Sequence, residues 1–222
     1  VYNIAVDEDL DVPADPYREG YEFLGWTDTE GSTTTVELPE KMPAGNVTYY
    51  AVFDAIEYKL IFNGRNETEP VEIVADYGTE ISAPTGLTKT GYTFKGWALV
   101  NTPTEADKVE VPATMPVTPE EGTTYYAIWT INEHTVTWDV DGNLSTKDYE
   151  YGATIEKPEN PTKKGYSFDG WSGYTDGMPM PDNDVTFTAV WTANTYEAVF
   201  NTNDGAFEDG TKEWKTNTVF GE

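Results

Sequence analysis

The chain has 222 residues, and its 13 lysines and arginines stand against 40 aspartates and glutamates, which gives a formal net charge of −27. A chain this acidic repels nucleic acid and anionic membranes, so we expect neither as a partner. It contains no cysteine, which excludes disulfides, thiolate metal sites and cysteine nucleophiles. Its apolar runs fall well short of the ~18 residues of a transmembrane helix, so we expect no membrane insertion.

The seven-residue pattern Gly-Tyr-x-Phe-x-Gly-Trp occurs three times, at residues 20–26, 91–97 and 165–171. Successive copies begin 71 and 74 residues apart. Each copy is followed by a Met-Pro step and then by an aromatic strand-like segment, at residues 49–53, 125–129 and 187–191. These landmarks in constant order indicate tandem duplication of a mainly β unit.

A further landmark is an opening strand with alternating apolar residues, at 58–62, 134–138 and 196–200. It precedes a hairpin turn, for which Asp141-Gly142 and Asp204-Gly205 supply a favoured dipeptide. The chain should therefore divide into four parts: residues 1–53, a partial repeat without its first strand; 57–129 and 131–191, complete repeats; and 194–222, a first hairpin only. The linkers are short and not Gly/Ser-rich, so we expect a semi-rigid rod.

The repeated aromatic residues are predicted to form the core of each unit, because large aromatic side chains supply most of the burial available to a repeat of ~70 residues. The second glycine of the seven-residue pattern is expected to allow a bulge that brings the tryptophan inward. The alternative is a row of exposed aromatics that stack on sugar rings. The predicted core residues are Tyr21, Phe23, Trp26, Tyr92, Phe94, Trp97, Trp129, Trp138, Tyr166, Phe168, Trp171 and Trp191.

The residues available for catalysis are few. His134 is the only histidine, and it aligns with Tyr58 and Tyr196, which indicates a core or boundary position. One histidine without any cysteine supplies neither a histidine-based triad nor a zinc site. We therefore predict that the chain is not an enzyme and has no cofactor.

The acidic residues leave one alternative open. Clusters occur at residues 7–11 and 204–209, and the spacing of Asp139, Asp141 and Asn143 is compatible with calcium. These acids do not recur between repeats, and no complete Asp-x-Asp-x-Asp-Gly loop is present. A solvated acidic face is therefore favoured over a calcium site, and both are favoured over paired catalytic carboxylates.

The ordered landmarks, best preserved in residues 151–191, resemble the Listeria–Bacteroides repeat family, which includes the B-repeats of internalins. The segment 160–166 is close to a family consensus, while Phe53 and Leu87 depart from it. The resemblance implies β-grasp-like units with a short helical or irregular crossing, in tandem on secreted or wall-attached bacterial proteins. It carries over no catalytic residue.

These observations favour a stalk or spacer of a bacterial surface protein, located outside the cell, with neighbouring repeats as its main partners. The alternative is an adhesive module that binds glycans or host proteins through surface aromatics. The two partial repeats raise a further hypothesis. The terminal hairpin, with Tyr196, Phe200 and Trp214 on its apolar face, packs on its own neighbour or completes residues 1–53 of another copy, which would build a head-to-tail filament.

Overall fold

The computed structural model describes residues 4–221, and the regular secondary structure in that range is almost entirely β-strand, as predicted. The only helical element in that range is a 3₁₀ turn, Glu105–Asp107, within the longer crossing of the second repeat. No helix in the described part of the chain has the length and apolar character needed to cross a membrane. The strands are β1 Tyr21–Thr27, β2 Tyr50–Ala55, β3 Glu57–Asn63, β4 Val71–Asp76, β5 Tyr92–Ala98, β6 Lys108–Val109, β7 Thr123–Ile131, β8 Glu133–Val140, β9 Asn143–Glu150, β10 Tyr166–Trp171, β11 Val185–Ala193, β12 Thr195–Asn201 and β13 Glu213–Val219.

The chain forms two compact units. One comprises residues 1–88 and 94–129, and the other comprises residues 89–93 and 130–222. Residues 89–93, which include the Gly-Tyr pair of the second repeat, thus group with the third repeat. The contacts between Gly91 and the third repeat, described below, therefore lie inside one unit.

The second and third repeats share one sheet topology. Their strand orders are β4-β3-β7-β5-β6 and β9-β8-β11-β10. In each repeat, the first two strands form an antiparallel hairpin, and the closing strand pairs parallel with the first strand. In the third repeat, the Gly-Tyr strand β10 pairs antiparallel with the closing strand β11. This mixed order is the β-grasp arrangement of strands. Tandem, mainly β repeats are therefore confirmed.

In the first and third repeats, the strand has a bulge at the second glycine of the seven-residue pattern, as predicted for this motif. The register between paired strands shifts between Phe23 and Gly25, and again between Phe168 and Gly170. Gly25 and Gly170 have φ angles of 139° and 130°, in a region that side chains with a Cβ rarely adopt. A side chain at these positions would therefore strain the backbone.

The core of each complete repeat is built around a tryptophan and a methionine. Trp97 and Trp171 are 5% and 8% exposed, and Met115 and Met180 of the Met-Pro steps are fully buried. The carbonyl groups of both methionines accept backbone hydrogen bonds, from Gly78 and Gly152 respectively. The core clusters are Leu60, Phe62, Trp97, Met115, Tyr125 and Ala127 in the second repeat, and Val136, Trp138, Tyr149, Ile155, Trp171, Met180, Phe187 and Ala189 in the third.

The partial repeats form separate two-stranded sheets, β1-β2 and β12-β13. In the terminal hairpin, Phe200 and Trp214 lie opposite one another with ring centroids 5.4 Å apart. Both side chains remain more than half exposed. The hairpin therefore exposes an apolar face. The equivalent first-strand residues of the second and third repeats, Phe62 and Trp138, are buried.

Candidate functional site: the joints between repeats

The Gly-Tyr pair of each repeat lies in a tight turn that starts at a basic residue. The backbone amide of the tyrosine donates to the carbonyl three residues earlier, at distances of 3.0–3.1 Å. The third turn position is a glycine with φ between 76° and 81°, where a side chain with a Cβ is disfavoured. These turns comprise residues 18–21, 89–92 and 163–166, and we name them the joint turns.

An aromatic side chain of the following repeat packs on each joint turn. A Cβ added to the turn glycine would overlap this ring, so only glycine fits. The same ring meets the turn tyrosine edge-on, with centroids 5.5–6.5 Å apart, a favourable arrangement for aromatic pairs. The glycine, tyrosine and incoming ring are Gly20, Tyr21 and Tyr77; Gly91, Tyr92 and Tyr151; and Gly165, Tyr166 and Phe220.

One linker residue connects the backbones of consecutive repeats at each joint. Its amide donates to the carbonyl of the turn glycine, and its own carbonyl accepts from the amide of the incoming aromatic residue. All six hydrogen bonds are 2.8–2.9 Å long. The linker residues are Ile56, Asn132 and Asn194. The short linkers are therefore held by hydrogen bonds from both sides, which restricts their backbone.

The basic residue of each joint turn lies over the ring of its tyrosine. The distances to the ring centroid are 3.6 Å for Arg18, 4.3 Å for Lys89 and 4.6 Å for Lys163. Such cation–π contacts contribute about 0.5–1 kcal/mol at exposed sites. Three of the 13 basic residues of this acidic chain thus occupy the same position of the repeat.

The second joint has an additional polar cluster around Asp182. Its carboxylate accepts hydrogen bonds from the Gly91 amide at 3.0 Å, the Asn132 side chain at 2.9 Å and His134 Nε2 at 2.9 Å. These donors lower the pKa of Asp182 to about 2. The hydrogen bond from Asn132 lowers it most, followed by those from His134 and Gly91. The carboxylate is therefore ionised near neutral pH, and His134 Nε2 must carry the proton.

His134 consequently lies in the joint, at a boundary position. Its Nδ1 is 3.6 Å from Asp184, whose carboxylate also accepts the Thr135 amide at 2.8 Å. Among residues 4–221, no three His, Asp or Glu side chains are grouped as a metal site would require. The cluster instead pairs one imidazole with two carboxylates that each bind backbone amides.

The predicted core residues fall into two groups. Trp97, Trp138 and Trp171 are buried. The others are half-buried, namely Tyr21, Phe23, Trp26, Tyr92, Phe94, Trp129, Tyr166, Phe168 and Trp191. Within this second group the three tyrosines are the joint residues described above, and the remaining rings pack edge-on within their own repeats. The pattern residues thus form clusters of rings in contact with one another.

The acidic residues proposed as calcium ligands contact protein donors. Asp139 accepts the Gly142 amide at 2.7 Å, which closes the β8–β9 turn. Asp141 pairs with Lys163 at 3.0 Å. In the two acidic clusters, Asp9 pairs with Lys41, and Asp209 accepts the amide and hydroxyl of Thr211, which lower its pKa.

Sequence reasoning missed the partners at the joints. The incoming aromatic residue, the turn glycine and the basic residue all recur, so an alignment of the repeats shows each of them but not the contact between them. The contact between them joins residues 55 to 60 positions apart, which periodicity does not reveal. Asp182 does not recur, so an alignment of the repeats does not single it out.

A comparison with known families matches the Listeria–Bacteroides repeat domain at residues 2–52, 58–128 and 134–193. Two similar proteins of Evansella cellulosilytica, whose names describe membrane proteins, are 31% and 32% identical over 88% and 92% of this chain. Internalin H of Listeria monocytogenes is 38% identical over 80% of the chain. The chain spans 24–30% of the length of these relatives. It belongs to the Listeria–Bacteroides repeat family.

Proposed function

We propose that this chain is a non-catalytic spacer, part of the stalk of a bacterial cell-surface protein, in which the repeats hold a distal domain away from the cell wall. One observation carries the proposal: the same joint, with its glycine, aromatic ring, linker hydrogen bonds and cation, occurs three times. A recurrent joint restricts the motion between neighbours, which is what a semi-rigid spacer requires.

The relatives support a surface location. Two are named as membrane proteins and the third is named an internalin, and this chain spans only 24–30% of their lengths. A repeat array that makes up a quarter to a third of such a protein leaves room for domains with other roles. The net charge of −27 favours solubility when many copies are displayed together.

The spacer function is tested by changing the number of repeats. Deletion of residues 58–133 joins Glu57 to His134 and keeps the repeat frame, because Glu133 precedes His134 in the natural order. The chain is displayed on cells by its C-terminus, with a peptide tag at its N-terminus. We expect antibody access to the tag to fall on a crowded surface after deletion, and to recover when residues 133–194 are duplicated after Asn194.

An adhesive function predicts another result. Adhesion would depend on particular residues and would not be restored by an arbitrary extra repeat. A screen of the chain against host glycans and matrix proteins should show no saturable binding if the chain is a spacer. Saturable binding together with unchanged tag access in the shortened chain would replace the spacer with an adhesive module.

A second proposal concerns the 222-residue chain taken by itself, for which we propose self-association through residues 1–53 of one copy and 194–222 of another. The closing strands β7 and β11 are nine residues long. The first four residues of each pair parallel with the first strand of the same repeat, β3 or β8. The closing strand β2 has six residues and begins at Tyr50. Residues 47–49, which correspond to the parallel-paired part, belong to no strand.

An apolar groove lies beside this unpaired segment. It has a volume of about 330 Å³ and is lined by residues that include Leu10, Trp26, Met42 and Tyr49. Strand β12 has the apolar alternation of a first strand, and its Phe200 aligns with Phe62 and Trp138. Those two residues are buried in their own repeats, whereas Phe200 is 52% exposed. Hairpin β12–β13 of a second copy therefore fits the place that a first strand fills in the complete repeats.

Sedimentation velocity over a range of concentrations tests this association. We expect the native chain and Val199→Asp, which alters the opposite face of β12, to form head-to-tail oligomers. Phe200→Asp should remain monomeric, because it places a charge in the groove. A native chain that stays monomeric at high concentration would rule out the filament.

A further inference from the structure

The joints differ in one respect that the recurrent contacts do not explain. At the second joint, the carboxylate of Asp182 in the third repeat accepts the amide of Gly91 in the second repeat at 3.0 Å. The same carboxylate is held by Asn132 and His134, at 2.9 Å each. Asp182 thus binds the joint glycine directly while it is anchored by the linker and by the first strand of its own repeat.

The corresponding residue at the first joint is Val117. It follows Met115-Pro116 as Asp182 follows Met180-Pro181. Both methionines accept the same backbone hydrogen bond from the glycine that follows the incoming aromatic residue, so the two loops share one frame up to the proline. A valine side chain has no acceptor for the Gly20 amide, and Tyr58 replaces His134. The first joint therefore adds an edge-on contact between Tyr58 and the incoming Tyr77, with ring centroids 6.3 Å apart, whereas the second adds a carboxylate that accepts the joint glycine amide.

We propose that Asp182 is a coupling residue, which makes the second joint open less readily than the first and links the unfolding of the second and third repeats. A hydrogen bond from a backbone amide to a carboxylate is about twice as strong as a neutral one. Separating the two repeats at this joint would break the Gly91 contact while Asp182 stayed bound to Asn132 and His134. Asn132 and His134 thus hold the Asp182 carboxylate where it can accept the Gly91 amide.

Asp184 provides a matched control. Its carboxylate also faces His134 and accepts a backbone amide, that of Thr135, but these contacts lie within the third repeat. Loss of Asp184 should therefore weaken the third repeat without releasing Gly91. Coupling also does not depend on the spacer function, because it would persist if the array served another role.

Amide hydrogen exchange of the full chain, read at Asn132 and Ile56, tests the coupling. These two linker amides donate to the carbonyls of Gly91 and Gly20, so their protection reports opening of the second and first joints without depending on residue 182 or 117 as an acceptor. We expect Asp182→Ala to increase exchange at Asn132 by about tenfold or more, because local opening governs exchange, and Asp184→Ala to leave it within about twofold. Val117→Asp should slow exchange at Ile56, since it supplies an acceptor for the Gly20 amide in the same frame. Unchanged exchange at Asn132 in Asp182→Ala, or an equal increase in both alanine variants, would overturn the proposal. If Asp182→Ala unfolds the chain, Val117→Asp decides alone: slower Ile56 exchange supports coupling, and unchanged exchange contradicts it.

Discussion

The ring of Tyr151 occupies the space that a side chain on residue 91 would need. Gly91 belongs to the second repeat and Tyr151 to the third. Their contact is possible because residue 91 is glycine and has no Cβ atom. The same relationship holds between Gly20 and Tyr77 and between Gly165 and Phe220. The first glycine of the seven-residue pattern is therefore required both by its turn and by the neighbouring repeat.

Gly91→Ala should lower the free energy of unfolding by roughly 3 kcal/mol, because it combines a left-handed backbone with an overlap against Tyr151. Gly173→Ala is the control, since its φ of 80° is nearly that of Gly91 at 76° and the space around it is open. The control should cost only about 1–2 kcal/mol. Urea denaturation measures both, and equal losses would mean that the Tyr151 contact contributes nothing.

Trp171→Ala should cost roughly 3–5 kcal/mol, as truncation of a large core residue does. Trp171 is 8% exposed and contacts the rings of Trp138 and Phe168. Trp214→Ala offers a contrast within the same chain, because this side chain is 53% exposed. Its loss should cost less than about 1 kcal/mol. A Trp171 variant as stable as the Trp214 variant would revive the model of exposed, sugar-stacking aromatics.

The pH dependence of Asp182 has a defined sign. Its pKa in the folded chain is about 2, below the usual ~3.9 of an aspartate. The folded state therefore binds fewer protons here than the unfolded state, and the stability that Asp182 contributes is present above about pH 4 and lost as the pH falls through about 2. The difference in melting temperature between the native chain and Asp182→Ala should shrink as the pH falls from about 4 toward 2. A difference that stayed constant or grew over this interval would contradict the assignment.

Calcium should have no specific effect on stability. The carboxylates of Asp139 and Asp141 contact the Gly142 amide and Lys163. We expect millimolar Ca²⁺ to shift the melting temperature no more than Na⁺ at matched ionic strength. A larger shift with Ca²⁺ that disappears in Asp139→Ala would establish a calcium site in the β8–β9 turn.

Much of the fold could be predicted from local sequence. Alternating residues such as Tyr58, Leu60 and Phe62 define strands without knowledge of their partners. The bulge at Gly170 followed from a glycine inside a strand pattern just before a tryptophan. These features depend on near neighbours in the chain, which explains why periodicity was sufficient.

The joints depend on contacts between repeats, so the sequence alone could not supply them. Gly91 is explained by its turn, and nothing in its surroundings indicates that Tyr151 packs on it. Lys89 and its equivalents recur, but recurrence does not show that each lies over a tyrosine ring. Asp182 occurs at one joint only, and its role follows from the meeting of Gly91 and His134 in space.

The central claim is that the recurrent joint fixes one repeat relative to the next. The first joint lies inside one compact unit and offers the direct test. Because the chain has no cysteine, Glu30→Cys and Glu110→Cys place one spin label on an exposed position of the first and of the second repeat. Distances between the labels are then measured by pulsed electron paramagnetic resonance. We predict one narrow distribution for the native joint and for the control Gly86→Ala, whose φ is 71° and whose surroundings are open, and a broad one for Gly20→Ala. A broad distribution in the native joint, or a narrow one that survives Gly20→Ala unchanged, would contradict the account.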